Sequence, residues 1–170
     1  MVLTKMFEFN NRPQDITGFT RHFLDDLTTM LMQYHHEGDL LFKVKTIVTE
    51  LLNNAVKHSG AQQTTFEVNL DSSTLTIVKK DAGKHFELPL QAKSESNRIV
   101  VSHDAMHLLY AVVENEDVIR FFWEDTLADN LDINQLNEHM GLLIITKAAN
   151  EFTYQYQNPV NLFTVKLSLS

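Results

Sequence analysis

The stretch TELLNNAVKHSG, Thr49 to Gly60, decides how the chain is read. Leu51, Leu52 and Ala55 continue an apolar stripe that begins at Leu40 and runs through Leu41, Val44, Ile47 and Val48. That spacing predicts an amphipathic helix from an N-cap at Asp39 to a stop at Ser59-Gly60. Glu50, Asn54 and Lys57 fall at steps of four and three, in a narrow sector beside the stripe, with Lys43 on the same line. Groups that border a buried stripe sit at the edge of the core rather than in bulk water. A generic solvated helix face would carry the same residue types, so the site reading needs support from elsewhere in the chain.

Outward from this helix, KMFEFN alternates and predicts a first strand. Ile16, Phe19, Phe23, Leu27, Met30 and Leu31 predict a helix from about Asp15 to Tyr34. TTFEVNL and TLTIVKK, joined by DSS, predict paired strands, with HFELPL as a third member of an antiparallel meander. RIVVS is a further strand candidate. HLLYAVV and VIRFFWE flank ENED and predict a hairpin. One short helix is expected after Asp132. MGLLIITKAANEF is apolar nearly all round and predicts a buried helix, and NLFTVKLSLS alternates and closes the sheet. Segregated helices and an antiparallel-rich sheet predict an α+β, two-layer sandwich.

The 170 residues fit one domain, 1–170, with an insertion at 91–138. The formal net charge of -8, with no basic run, argues against nucleic acid and anionic membrane as partners. An anionic nucleotide remains compatible if a cation and backbone N–H groups carry its phosphates. Cysteine is absent, which excludes disulfides, thiolate metal sites and a thiol nucleophile. No apolar run approaches the ~20 residues of a bilayer span, and no signal peptide is legible. A soluble, cytoplasmic protein is the expectation.

ELLNNAVKH resembles the N-box of the GHKL ATPases, the superfamily of histidine kinases, anti-sigma-factor serine kinases, gyrase-type ATPases and heat-shock chaperones. The resemblance implies a Bergerat-type fold, here with an extra β-hairpin in place of the usual lid. It implies Glu50 as the base or water-orienting carboxylate, Asn54 as the Mg²⁺ ligand, and Lys57 and His58 near the phosphates of ATP. An amide oxygen suits a hard cation without adding charge, and a carboxylate one turn earlier polarises an attacking hydroxyl or water. IVKKDAGKHF resembles the Asp-x-Gly-x-Gly box, which implies Asp81 as acceptor of the adenine amino group and Gly83 as the point of backbone approach. EHMGLLIITKAANEF resembles the glycine turn that leads into a helix facing the phosphates, with Gly141 at that point. The layout is closest to the stand-alone anti-sigma-factor serine/threonine kinases, which implies a regulatory protein partner.

The chain departs from the pattern in having only five glycines. His85 stands for the second glycine of the Asp81 box, and His139 stands where a glycine is expected before Gly141. Imidazole there either blocks the backbone's approach to a ligand, or demands a different turn and donates to phosphate itself. Two functions therefore stay open: an ATP-binding switch or kinase, and a degenerate interaction module on the same scaffold. The module would use the Leu108–Trp123 region, with Phe121, Phe122 and Trp123 as core or as a contact with a partner or a second copy. His103 and His107, four apart, would chelate a metal if helical. His35-His36 is the exposed end of a helix, and the adjacent Ser102, His103 and Asp104 do not form a triad.

Overall fold

The computed structural model describes residues 2–36, 38–88, 98–104, 106–115, 118–125 and 139–169. Eight strands form one antiparallel sheet: β1 (Leu3–Phe9), β2 (Thr64–Leu70), β3 (Thr74–Asp81), β4 (Arg98–His103), β5 (His107–Asn115), β6 (Val118–Asp125), β7 (Glu151–Gln157) and β8 (Val160–Ser168). Their order across the sheet is β1-β2-β3-β8-β7-β6-β5-β4. Three helices, α1 (Ile16–Leu31), α2 (Leu40–Asn54) and α3 (Met140–Ala148), make the second layer, with α2 packed against both α1 and α3. The expected two-layer α+β sandwich is the one observed.

The core explains the pairing of layers. Val44, Ile47, Val48, Leu51 and Leu52 of α2 are buried, and meet Phe66, Val68, Leu70, Leu75 and Ile77 from the sheet. Each such side chain contributes ~1.5–3 kcal/mol by leaving water. Phe7, Phe9, Phe19, Phe23 and Phe66 form an aromatic cluster between α1 and β1–β2, with ring centroids 4.6–6.2 Å apart. Strand register is set by the same alternation that the sequence displays: Leu75, Ile77, Lys79 and Asp81 all lie on the buried face of β3.

Three expectations are corrected. HFELPL does not add a strand beside β3: residues 85–88 are non-strand, and β8 is the neighbour of β3. Phe86 is used instead as a loop side chain that packs on Phe121, Tyr154 and Phe163. The last helix stops at Ala148, and Glu151–Gln157 is strand β7, with Phe152 and Tyr154 buried. α1 ends at Leu31, three residues before Tyr34. The expected hairpin exists as β5–β6; with β4 it extends the sheet beyond β7. The polar segment at 91–97 and the short helix after Asp132 lie outside the described residues.

Candidate functional site

The α-helical part of α2 ends at Asn54, and the chain continues through a π-helical turn, Ala55–Ser59, before Gly60 takes the left-handed conformation at φ +69°. The Ala55 N–H reaches the carbonyls of both Leu51 and Leu52, which begins the wider winding. Asp39 makes no side-chain cap; it pairs instead with Lys43 at 3.0 Å. In the π turn Lys57 and His58 are exposed, while Ser59 faces inward and is buried. Single-turn π distortions recur at functional sites because they re-aim side chains without ending a helix.

Ser59 leads to Asp81 at the end of β3. The Asp81 Oδ1 accepts from Ser59 Oγ at 2.9 Å, from the Gly83 N–H at 3.0 Å and from Asn161 Nδ2 at 3.1 Å. Its Oδ2 accepts from Lys79 Nζ at 2.5 Å. Burial alone would raise the Asp81 carboxyl, but the Lys79 charge and these hydrogen bonds outweigh it and hold the group below its ordinary range. Burial also draws the Lys79 ammonium below its ordinary value, against the opposing pull of Asp81. Asn161 sits opposite Asp81 across β3–β8 and also donates to the carbonyls of Gly83 and Lys84. Its Oδ1 accepts from the Tyr154 hydroxyl at 2.8 Å. Burial pushes that hydroxyl up to about 12, so it stays protonated and remains a donor.

Gly83 has a steric reason to be glycine. A Cβ there would lie 2.1 Å from the Ser59 carbonyl oxygen and 2.3 Å from its Oγ. The space is filled by the end of the π turn, to which Lys84 N–H bonds at 2.5 Å. Gly141, the second residue of α3, faces the other wall: a Cβ there would lie 2.7 Å from Glu50 Oε2 and 3.4 Å from Asn54 Oδ1. His139 precedes it with φ +74°, so the backbone takes the left-handed turn that a glycine would take more cheaply. Its carbonyl accepts from Leu142 and Leu143 N–H, and α3 starts with no side-chain cap.

Glu50, Asn54, Lys57, His58, Asp81 and Gly141 line one cavity of about 610 Å³, within the roughly 300–1,000 Å³ range of small-molecule sites. Gly83 is not on its wall and acts through Asp81 and Ser59. Residues missing from the sequence reading complete the lining, notably Asn53, Lys79, Lys84, Glu87, Asn161 and Phe163. Lys79 and Asn161 had a signal: each is polar on the inward phase of an alternating strand. His85 and His139 border the cavity without filling it, because His85 packs on Tyr156 at 4.4 Å and His139 meets the Phe86 ring edge-on at 5.9 Å.

The donor set fits a nucleotide–Mg²⁺ complex. Glu50 and Asn54 present oxygen to one spot at the start of α3, and a hard cation accepts such donors while phosphates and water supply the rest. Among the described residues no group of three or more His, Cys, Asp or Glu forms a protein-only metal cage. His103 and His107 are not on a helix but on β4 and β5. His107 Nδ1 lies 3.0 Å from Asp104 and its Nε2 lies 2.8 Å from Lys147, which leaves neither ring nitrogen for a metal.

An antiparallel sheet under three helices, with its cavity where the N-box turn meets the β3–β8 seam, is the architecture of GHKL-type ATP-binding domains. A family model, the histidine kinase-like ATPase domain, matches residues 12–167, and the chain belongs to that family. No curated protein matches the chain.

Proposed function

We propose that the cavity binds ATP as its Mg²⁺ complex, with the base at Asp81 and the phosphates toward Lys57, His58 and the start of α3. The observation that carries this reading is the convergence of Glu50, Asn54, Asp81 and Gly141 on one cavity. Asn54 and the phosphates would hold Mg²⁺, whose chemistry is to neutralise phosphate charge. Asn54 supplies a neutral oxygen, and Glu50 lies one helical turn away to orient and deprotonate a water or a hydroxyl. Lys57 and His58, aimed from the π turn, add positive charge at the cavity mouth, and the free N–H groups at the start of α3 favour an anion. Gly83 keeps Asp81 in register with Ser59. We read 1–170 as a single domain in which 91–138 is an insertion, and the whole as a regulatory serine/threonine kinase or anti-sigma-factor-like switch.

The test is thermal unfolding with Mg–ADP. A ligand at a hundred times its Kd adds ~2.7 kcal/mol, worth roughly 5–10 °C in a chain of this size. Asn54→Ala should remove the Mg²⁺-dependent part of the shift, and Glu50→Gln should keep the shift while abolishing turnover. No shift at millimolar nucleotide overturns the reading. A second reading, a non-catalytic interaction module, is favoured by Phe122 and Trp123, which are 36% and 40% exposed on the strands added beyond β7, whereas Phe121 is core at 3%. It predicts indifference to nucleotide, and a partner contact or self-association lost in Phe122→Ser.

A further inference from the structure

Lys79 occupies an inward position of β3, where the alternation calls for an apolar side chain. It is 3% exposed and faces the cavity, with its Nζ 5.1 Å from the Phe163 ring centroid. An ammonium carries three donors. Among the described residues its only hydrogen-bond acceptor is Asp81 Oδ2. A buried donor left without an acceptor is costly, so the remaining N–H groups call for a partner from within the cavity. Asp81 complements this. Its Oδ1 is used three times, by Ser59, Gly83 and Asn161, and these bonds fix the carboxylate's orientation. Its Oδ2 accepts from Lys79 alone and has room for one more donor.

The wall therefore presents a donor and an acceptor side by side, held rigidly, in the part of the cavity assigned above to the base. We propose that Lys79 is a base-contacting, specificity-determining residue, donating to ring nitrogen N1 of adenine while Asp81 Oδ2 accepts from the neighbouring exocyclic amino group. This rests on the nucleotide reading and adds a direct, charge-assisted contact to it. A 6-oxopurine offers the same two positions with donor and acceptor exchanged, so it opposes carbonyl to carboxylate and N–H to ammonium.

The experiment is calorimetric titration of the full chain and of Lys79→Met with Mg–ADP, Mg–1-deaza-ADP, which lacks only the N1 acceptor, and Mg–GDP. Wild type should bind 1-deaza-ADP about tenfold or more weakly than ADP, the size expected for a hydrogen bond to a charged group. Lys79→Met should lose a similar factor on ADP and no further factor on 1-deaza-ADP. Equal wild-type affinity for ADP and 1-deaza-ADP overturns the proposal, as does undiminished discrimination in Lys79→Met or a preference for GDP. If Lys79→Met fails to fold, the wild-type ADP against 1-deaza-ADP comparison decides alone. Absence of ADP binding to wild type overturns the nucleotide reading itself, a different result from binding that ignores N1.

Discussion

Two glycines of the site make opposite predictions on substitution by alanine. At Gly83 the new methyl would sit 2.1 Å from the Ser59 carbonyl oxygen and 2.7 Å from its carbonyl carbon. Non-bonded contact requires ~3.5–4.0 Å, so two backbone segments must separate by more than about 1 Å. That separation strains or breaks the Lys84 N–H bond to Ser59 and the Gly83 N–H bond to Asp81. Overpacking costs about 1–3 kcal/mol and each lost hydrogen bond about 1 kcal/mol, so Gly83→Ala should lose roughly 3–4 kcal/mol. In a chain of this length that lowers Tm by about 6–16 °C. At Gly141 the nearest atom is the Glu50 Oε2, the far end of a flexible side chain. Rotating it aside costs about 0.5–1.5 kcal/mol, and alanine in a helix regains up to ~1 kcal/mol over glycine. Gly141→Ala should therefore melt within about 3 °C of wild type, yet bind Mg–ADP about tenfold or more weakly because Glu50 and Asn54 are displaced. Calorimetric melting without nucleotide and titration with Mg–ADP read both effects. A Gly83→Ala protein that melts with wild type, or a Gly141→Ala protein that falls as far as Gly83→Ala, would refute the steric reasoning.

Other substitutions test single contacts. His139→Gly removes a side chain from a left-handed backbone that costs non-glycine residues about 1–2 kcal/mol, so denaturant midpoints should rise by about 1 kcal/mol, less the lost edge contact with Phe86. Tyr154→Phe deletes the donor to Asn161 and the acceptor of the Phe86 N–H, and should cost about 1–3 kcal/mol in urea unfolding. Asp81 has a depressed folded-state pKa, so its contribution is fully present above the unfolded value near 3.9 and is lost as pH falls through the lower folded value. Acid unfolding followed by circular dichroism should accordingly show a loss of stability below about pH 4 that Asp81→Asn lacks. That variant should already be weaker at pH 7, because it leaves the buried Lys79 without its counter-charge.

Long periodic segments carried the fold in plain sight. The stripe from Leu40 to Ala55 and the alternation of β2 and β3 needed no tertiary information, because burial on one face writes itself into spacing. β7 was hidden because Ala149-Asn150 is the only break between the apolar α3 and Phe152; the alternation Phe152, Tyr154, Tyr156 was its sole trace. HFELPL alternates as well, but Phe86 finds its burial in a side-chain cluster rather than through strand pairing, which spacing cannot distinguish. Glu50, Asn54, Asp81 and Gly141 could be named from the sequence through the family pattern. Lys79 and Asn161 could have been found by physics alone, since a lysine and an asparagine in the inward phase of core strands require a polar partner.

The seam between β3 and β8 joins two runs of chain that share no earlier strand pairing: β1, β2 and β3 on one side, β4 to β8 on the other. Asp81 and Lys79 come from the first run, Gly141 and Asn161 from the second. During synthesis the first run emerges with its carboxylate and ammonium in place but no opposite wall, and the cavity closes only when the eighth strand docks. A bound nucleotide would thus act as a clasp across the seam, making ligand occupancy a readout of completed assembly.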